Sequence, residues 1–192
     1  HPLGVGDAMY RLAPSAGPVD TVPFGAFRRE LVERIGKYDE TLLSNEDYEF
    51  NTRMRQSGGT VWLDPAIRSV YFSRSTFGAL ARQYWRYGFW KLRMLRRYPS
   101  TLRWRQALPP AFVLSLAGLL LLGLWLYPFL WLLGAEILLY LSVMLLAGFR
   151  AAQKRHKPLL AIGLPLAIAT MHLAWGSGFL WSLLSSLVKK NG

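Results

Sequence analysis

There is no cysteine among the 192 residues. Disulfides, thiolate nucleophiles, cysteine-ligated zinc and iron–sulfur clusters are therefore excluded. Histidine is nearly as scarce: none lies between His1 and His156, so that whole interval offers a metal no imidazole. Acids are few and unevenly spread. Ten of the eleven fall in residues 1–64, whereas residues 65–192 hold sixteen Lys or Arg and one acid, Glu136. That excess of positive charge flanks long apolar runs, so the partner it suits is an anionic membrane surface, and nucleic acid is not expected. The opening stretch HPLGVGDAMY lacks the basic and apolar regions of a signal peptide. It looks like the middle of a loop, which suggests a C-terminal piece of a longer enzyme. No internal repeat or low-complexity tract is evident.

What is present changes character along the chain. Residues 1–23 are rich in Gly, Pro and Ala and read as loop, with a short extended segment near Val19–Val22. Phe27, Leu31 and Ile35 lie four apart, which predicts a helix over Arg28–Ile35 stopped by Gly36. A second helix follows, capped by Ser44, with Asp47 placed to reach back to the cap and Gly58-Gly59 ending it. Val61-Trp62-Leu63 reads as a strand, and Ile67 to Phe72 as another after the Asp64-Pro65 turn. So few strands would struggle to bury a core alone and resemble the back of a larger sheet.

From Ser75 to Arg105 there are eight Lys or Arg and no acid, interleaved with eight aromatic residues. A helix starting at Ser75 or Thr76 and running to about Tyr98 is basic, aromatic and amphipathic, as suits a membrane interface. Residues 107–148 then contain a single charge, Glu136, in 42 positions, enough for two spans hinged at Pro128. After the basic loop 150–157, a third apolar run occupies 158–188. The positive-inside rule puts Arg74–Arg105 and 150–157 in the cytoplasm. Lys189-Lys190 then fall outside, a mismatch that a kinked or half-spanning third segment around Pro165, Gly176 and Gly178 would remove. Glu136 and His172, inside spans, invite polar partners on neighbouring helices.

Two short motifs can carry chemistry. Glu46-Asp47 opens a helix, where the dipole favours an ionised carboxylate, the form a general base needs. First-turn acids are also ordinary helix caps. Gln83 and Arg86 share a helical face, where an amide and a guanidinium can grip a diphosphate while Tyr87 offers a flat surface to a sugar. The same residues equally suit a helix holding lipid headgroups.

Taken together, Asn45-Glu46-Asp47 at a helix start and a Gln-x-x-Arg-aromatic motif 36 residues after Asp47 resemble the membrane-bound family 2 glycosyltransferases. The stretches VDTVPFGAFRRELVERIGKYDETLLSNEDYEF and RQYWRYGFWK resemble the bacterial succinoglycan-biosynthesis type in particular. The resemblance implies a nucleotide-sugar-binding α/β domain (the GT-A fold), here in part, over residues 1–74. An interfacial helix region over 75–106 and a transmembrane region over 107–188 follow, with spans near 108–127, 129–149 and 159–187. It implies Asp47 as the general base of an inverting transfer with Glu46 its acidic neighbour, and Gln83 and Arg86 on the donor diphosphate. Tyr87, where many members have Trp, and Gly25 would lie on the acceptor side. The implied partners are a nucleotide-sugar donor, a polyprenyl-diphosphate-linked acceptor and membrane lipids, at the cytoplasmic face of a bacterial inner membrane. A divalent cation, Mg or Mn, is implied for the full enzyme. The family's metal-binding Asp-x-Asp is absent from the sequence, so most of its ligands would lie upstream, and the piece by itself is expected to be inactive. The alternative from another class is a non-catalytic membrane anchor or assembly subunit with a small cytosolic cap.

Overall fold

The computed structural model describes residues 3–5, 15–22 and 24–188. Its elements, in order, are β1 (Gly17–Pro18), α1 (Arg29–Ile35), α2 (Glu46–Gln56), β2 (Trp62–Leu63), α3 (Phe77–Arg97), α4 (Trp104–Gly123), α5 (Pro128–Arg155) and α6 (Leu160–Val188), with a 3-10 turn at Pro99–Thr101 between α3 and α4. The contacts divide the chain into two compact units: Gly6–Ser73 with Trp90–Leu102, and His1–Val5 with Arg74–Phe89 and Arg103–Gly192.

The first unit is built on α2. Its buried face carries Phe50 and Met54, and Leu42, Val61 and the fully buried Met94 join them in the apolar core. The Phe50 ring meets Phe27 edge-on at 4.8 Å and stacks on Tyr38 at 4.7 Å. Such pairs add to the area term that buries them. Both helix ends follow the glycines. Gly36 and Gly58 each take φ of 85°, the left-handed conformation that a side chain disfavours.

Beside the core runs a polar line. Glu49, only 2% exposed, accepts from Arg53 Nε at 2.6 Å and from the Tyr98 hydroxyl at 2.9 Å. Arg53 also donates to the carbonyls of Ile35 at 2.5 Å and Lys37 at 2.6 Å, so it closes the carbonyl end of α1. Asp39 pairs with Arg97, and Asn51 Nδ2 donates to Thr21 Oγ1 at 2.8 Å.

Three expectations change here. The expected α/β domain is not shown by the described residues, whose sheet is one antiparallel pair: Gly17 opposite Leu63 and Pro18 opposite Trp62. Ile67 to Phe72 forms no strand, and Ile67, Val70 and Phe72 are exposed. A β-prone run becomes a strand only where another backbone supplies its hydrogen bonds, and among the described residues none does so. Ser44 does not cap α2 either. The helix follows Asn45, whose backbone is left-handed with φ of 67° and whose side chain makes no cap bond. A capping side chain needs an extended backbone at that position. Asp47 bonds the Tyr48 N–H instead of reaching back.

In the second unit α4, α5 and α6 are long and apolar enough to cross a membrane, by length and composition. They pack on one another pairwise. Thr76 Oγ1 accepts from the Ala79 N–H at 3.2 Å and so opens α3 as the sequence predicts. Pro128 is the first residue of α5, where a missing N–H costs nothing. The third span is not half-length: α6 runs as one helix of 29 residues, about 43 Å at 1.5 Å per residue. Lys189 and Lys190 lie outside the described residues.

Small residues let these helices close on one another. Gly176 meets the Pro109 carbonyl of α4, and Gly148 of α5 meets Ala161 and Pro165 of α6. Gly88 of α3 abuts the Trp175 backbone, while Gly178 of α6 abuts the backbone of Trp85. Polar bonds add to this. Ser115 donates to Glu136 at 2.5 Å, joining α4 to α5, while Tyr140 and His172 bond at 3.0 Å, joining α5 to α6. His172 also meets the Leu3 carbonyl at 2.8 Å. Gly88→Val and Gly178→Val should each cost about 1–3 kcal/mol by overpacking. Thermal unfolding in detergent checks this, with Gly118→Val as the control because nothing lies within 4 Å of a Cβ built there.

Candidate active site

Asp47 and Glu46 occupy the first turn of α2, Glu46 exposed and Asp47 half-buried. One Asp47 oxygen accepts the Tyr48 N–H at 2.7 Å. Burial pushes the Asp47 carboxyl above its ordinary value; the Tyr48 N–H opposes the shift and the charge of Glu46 adds to it. The helix dipole would favour the carboxylate, but here loss of solvation is the stronger influence. A carboxylate of raised proton affinity takes up a proton more readily, which is the property a general base requires.

Gly25 lies in the same unit, on a cleft of about 950 Å³ lined also by Phe24, Arg28, Arg34, Trp62 and Asp64. The Phe27 ring occupies the place a Cβ at position 25 would take, so the close approach needs glycine. Asp47 and Glu46 are not on the lining of this cleft.

Gln83, Arg86 and Tyr87 belong to the other unit, on α3. Gln83 Nε2 donates to the Tyr87 hydroxyl at 2.6 Å, and Arg74 Nε donates to Gln83 Oε1 at 3.2 Å. Gln83 thus links Arg74 to Tyr87 and orients the tyrosine. Arg86 borders an open, mainly apolar groove of about 750 Å³, with Arg82 and Trp85 on its α3 wall and Thr170, Leu173 and Ala174 on its α6 wall.

Two residues outside the chemical motifs are central to the first unit. Glu49 is the buried acceptor for Arg53 and Tyr98; its position four residues before Arg53 was the available signal. Lys91 is 3% exposed, in contact with the Tyr48 ring. No local pattern marks it, since in the sequence it is one base among eight.

The chain thus holds one small, mainly helical unit that carries an acid pair, and another with three helices able to span a membrane. Over 192 aligned residues covering 95% of the chain it is 28% identical to the succinoglycan biosynthesis protein ExoA of Rhizobium meliloti (strain 1021). Over 166 residues, 86% of the chain, it is 25% identical to the dolichyl N-acetyl-alpha-D-glucosaminyl phosphate 3-beta-D-2,3-diacetamido-2,3-dideoxy-beta-D-glucuronosyltransferase of Methanococcus voltae. The chain spans about half the length of these relatives, 53% and 47% respectively. No family model and no solved structure matches it. The likeness to family 2 glycosyltransferases read from the motifs is thus accompanied by similarity to these two proteins over 95% and 86% of the chain.

Glu46 raises the proton affinity of Asp47 through like charge. Glu46→Gln should therefore lower the Asp47 titration midpoint, which a ¹³C-carboxyl NMR titration measures directly. An unmoved midpoint would separate the two acids electrostatically.

Proposed function

We propose that the protein is an inverting glycosyltransferase of the GT-A type. It moves a sugar from a nucleotide-sugar donor to a polyprenyl-diphosphate-linked acceptor, in exopolysaccharide or cell-surface polysaccharide synthesis. The work takes place at the cytoplasmic face of a bacterial inner membrane. The observation that carries this proposal is the similarity, over 86% of the chain, to a relative whose name is that of a glucuronosyltransferase.

In this mechanism the Asp47 carboxylate accepts the proton of an acceptor hydroxyl. The freed oxygen attacks the anomeric carbon from the face opposite the diphosphate. The new C–O bond forms as the bond to the nucleoside diphosphate breaks, and the sugar inverts. Burial, with the like charge of Glu46 adding to it, keeps the proton affinity of Asp47 raised. Arg86, assisted by Gln83, meets the charge gathering on the departing diphosphate. Tyr87, held by Gln83, faces the acceptor sugar. A lipid acceptor suits the groove bounded by Arg82, Arg86 and Trp85 on one side and by α6, able to span a membrane, on the other. The basic stretches before α4 and at the end of α5 support a cytoplasmic placement. Magnesium or manganese is the cofactor expected of this class. Among the described residues no three of His, Cys, Asp and Glu gather to hold a metal ion.

Membranes containing the intact protein, offered labelled nucleotide sugars and polyprenyl-linked acceptors, should transfer label to lipid. Asp47→Asn should reduce that transfer by about 10²–10⁴-fold with membrane insertion and donor binding retained. Arg86→Ala should weaken donor binding by about tenfold or more. Failure of the wild type with every donor would favour the anchor role, and transfer retained by Asp47→Asn would remove Asp47 from the role of base.

A further inference from the structure

Lys91 sits on α3 within the same compact unit as α2. The residue is 3% exposed, and its ammonium donates to the Thr101 carbonyl at 3.2 Å and lies 4.4 Å from the centre of the Tyr48 ring. Among the described residues no carboxylate pairs with it. Elsewhere in this unit buried charge is matched by opposite charge, as Arg53 matches Glu49. A buried ammonium held by one carbonyl and one aromatic face is costly to keep. Burial alone brings the amine down to about 8.

The ring that Lys91 holds belongs to the residue after Asp47. The backbone N–H of that same Tyr48 donates to the Asp47 carboxylate at 2.7 Å. Tyr48 is further tied at its carbonyl, which accepts from the Thr52 hydroxyl at 2.7 Å. The ammonium, the ring, the N–H and the carboxylate therefore form one short chain of contacts, anchored at Thr101.

We propose that Lys91 is a positioning residue for Asp47: its buried ammonium fixes the Tyr48 ring, and with it the N–H that orients the Asp47 carboxylate. The proposal rests on the assignment of Asp47 as the base, but its physical content does not. Lys91 touches no reacting atom. It determines how the carboxylate is presented.

Lys91→Met removes the charge and keeps the length of the side chain. The Tyr48 N–H lowers the proton affinity of Asp47. Loosening it should raise the Asp47 midpoint, read by ¹³C-carboxyl titration of the intact protein in detergent, by about half a pH unit. Thermal stability should hold or rise, because an unpaired buried charge is gone. In the transfer assay kcat should fall about tenfold or more with KM unchanged. Lys91→Arg keeps the charge and should restore much of both. A folded Lys91→Met with an unmoved Asp47 midpoint overturns the proposal. So does a Lys91→Arg protein whose Asp47 midpoint lies about half a pH unit or more above that of wild type, a comparison that stands even if the methionine variant does not fold. A midpoint that moves while Asp47→Asn still transfers sugar upholds the positioning and removes only the base assignment.

Discussion

The guanidinium of Arg53 meets the Glu49 carboxylate one helical turn back and, on its far side, the carbonyls where α1 ends. Two problems are solved at once. A buried carboxylate would be costly without a cation and hydrogen bonds to hold its charge. The end of a helix leaves carbonyls that need donors. The Tyr98 hydroxyl uses the same carboxylate, which brings the residue after α3 onto α2. The aromatic cluster of Phe27, Tyr38 and Phe50 packs beside this line. With its middle held this way, α2 presents Glu46 and Asp47 at its free end.

The three long helices follow a different rule. Between helices in lipid the hydrophobic effect offers little, because the tails are as apolar as leucine. Close approach at Gly148 and Gly176, and single polar bonds such as Ser115–Glu136 and Tyr140–His172, give these helices their particular contacts. Many of their leucines face outward, among them Leu120, Leu121, Leu138 and Leu139. That is the arrangement expected of a surface meant for acyl chains.

At the candidate site, burial and not helix position decides the behaviour of Asp47. The sequence places it at a helix start, where the dipole lowers a carboxyl's proton affinity. The fold withdraws it from water, which acts in the opposite direction and prevails. On α3 Gln83 is not an independent donor: it is tied to Arg74 and to Tyr87, so these two motif residues act as a pair.

Helices, their glycine stops, Thr76 at the head of α3, Pro128 at the head of α5 and three membrane-length runs were all legible in the sequence alone. So was the likeness that the comparisons support. These are local properties: periodicity, backbone permissiveness and length each act within a few residues or along one element. Only the tertiary structure decided that Ile67 to Phe72 forms no strand among the described residues, that Ser44 is no cap, and that α6 is one continuous helix. It alone singled out Lys91 from eight bases in its stretch, and it alone set the direction of the Asp47 shift. Each depends on which atoms from distant parts of the chain come to lie together, and so on desolvation and partner choice. No pattern within one element encodes those quantities.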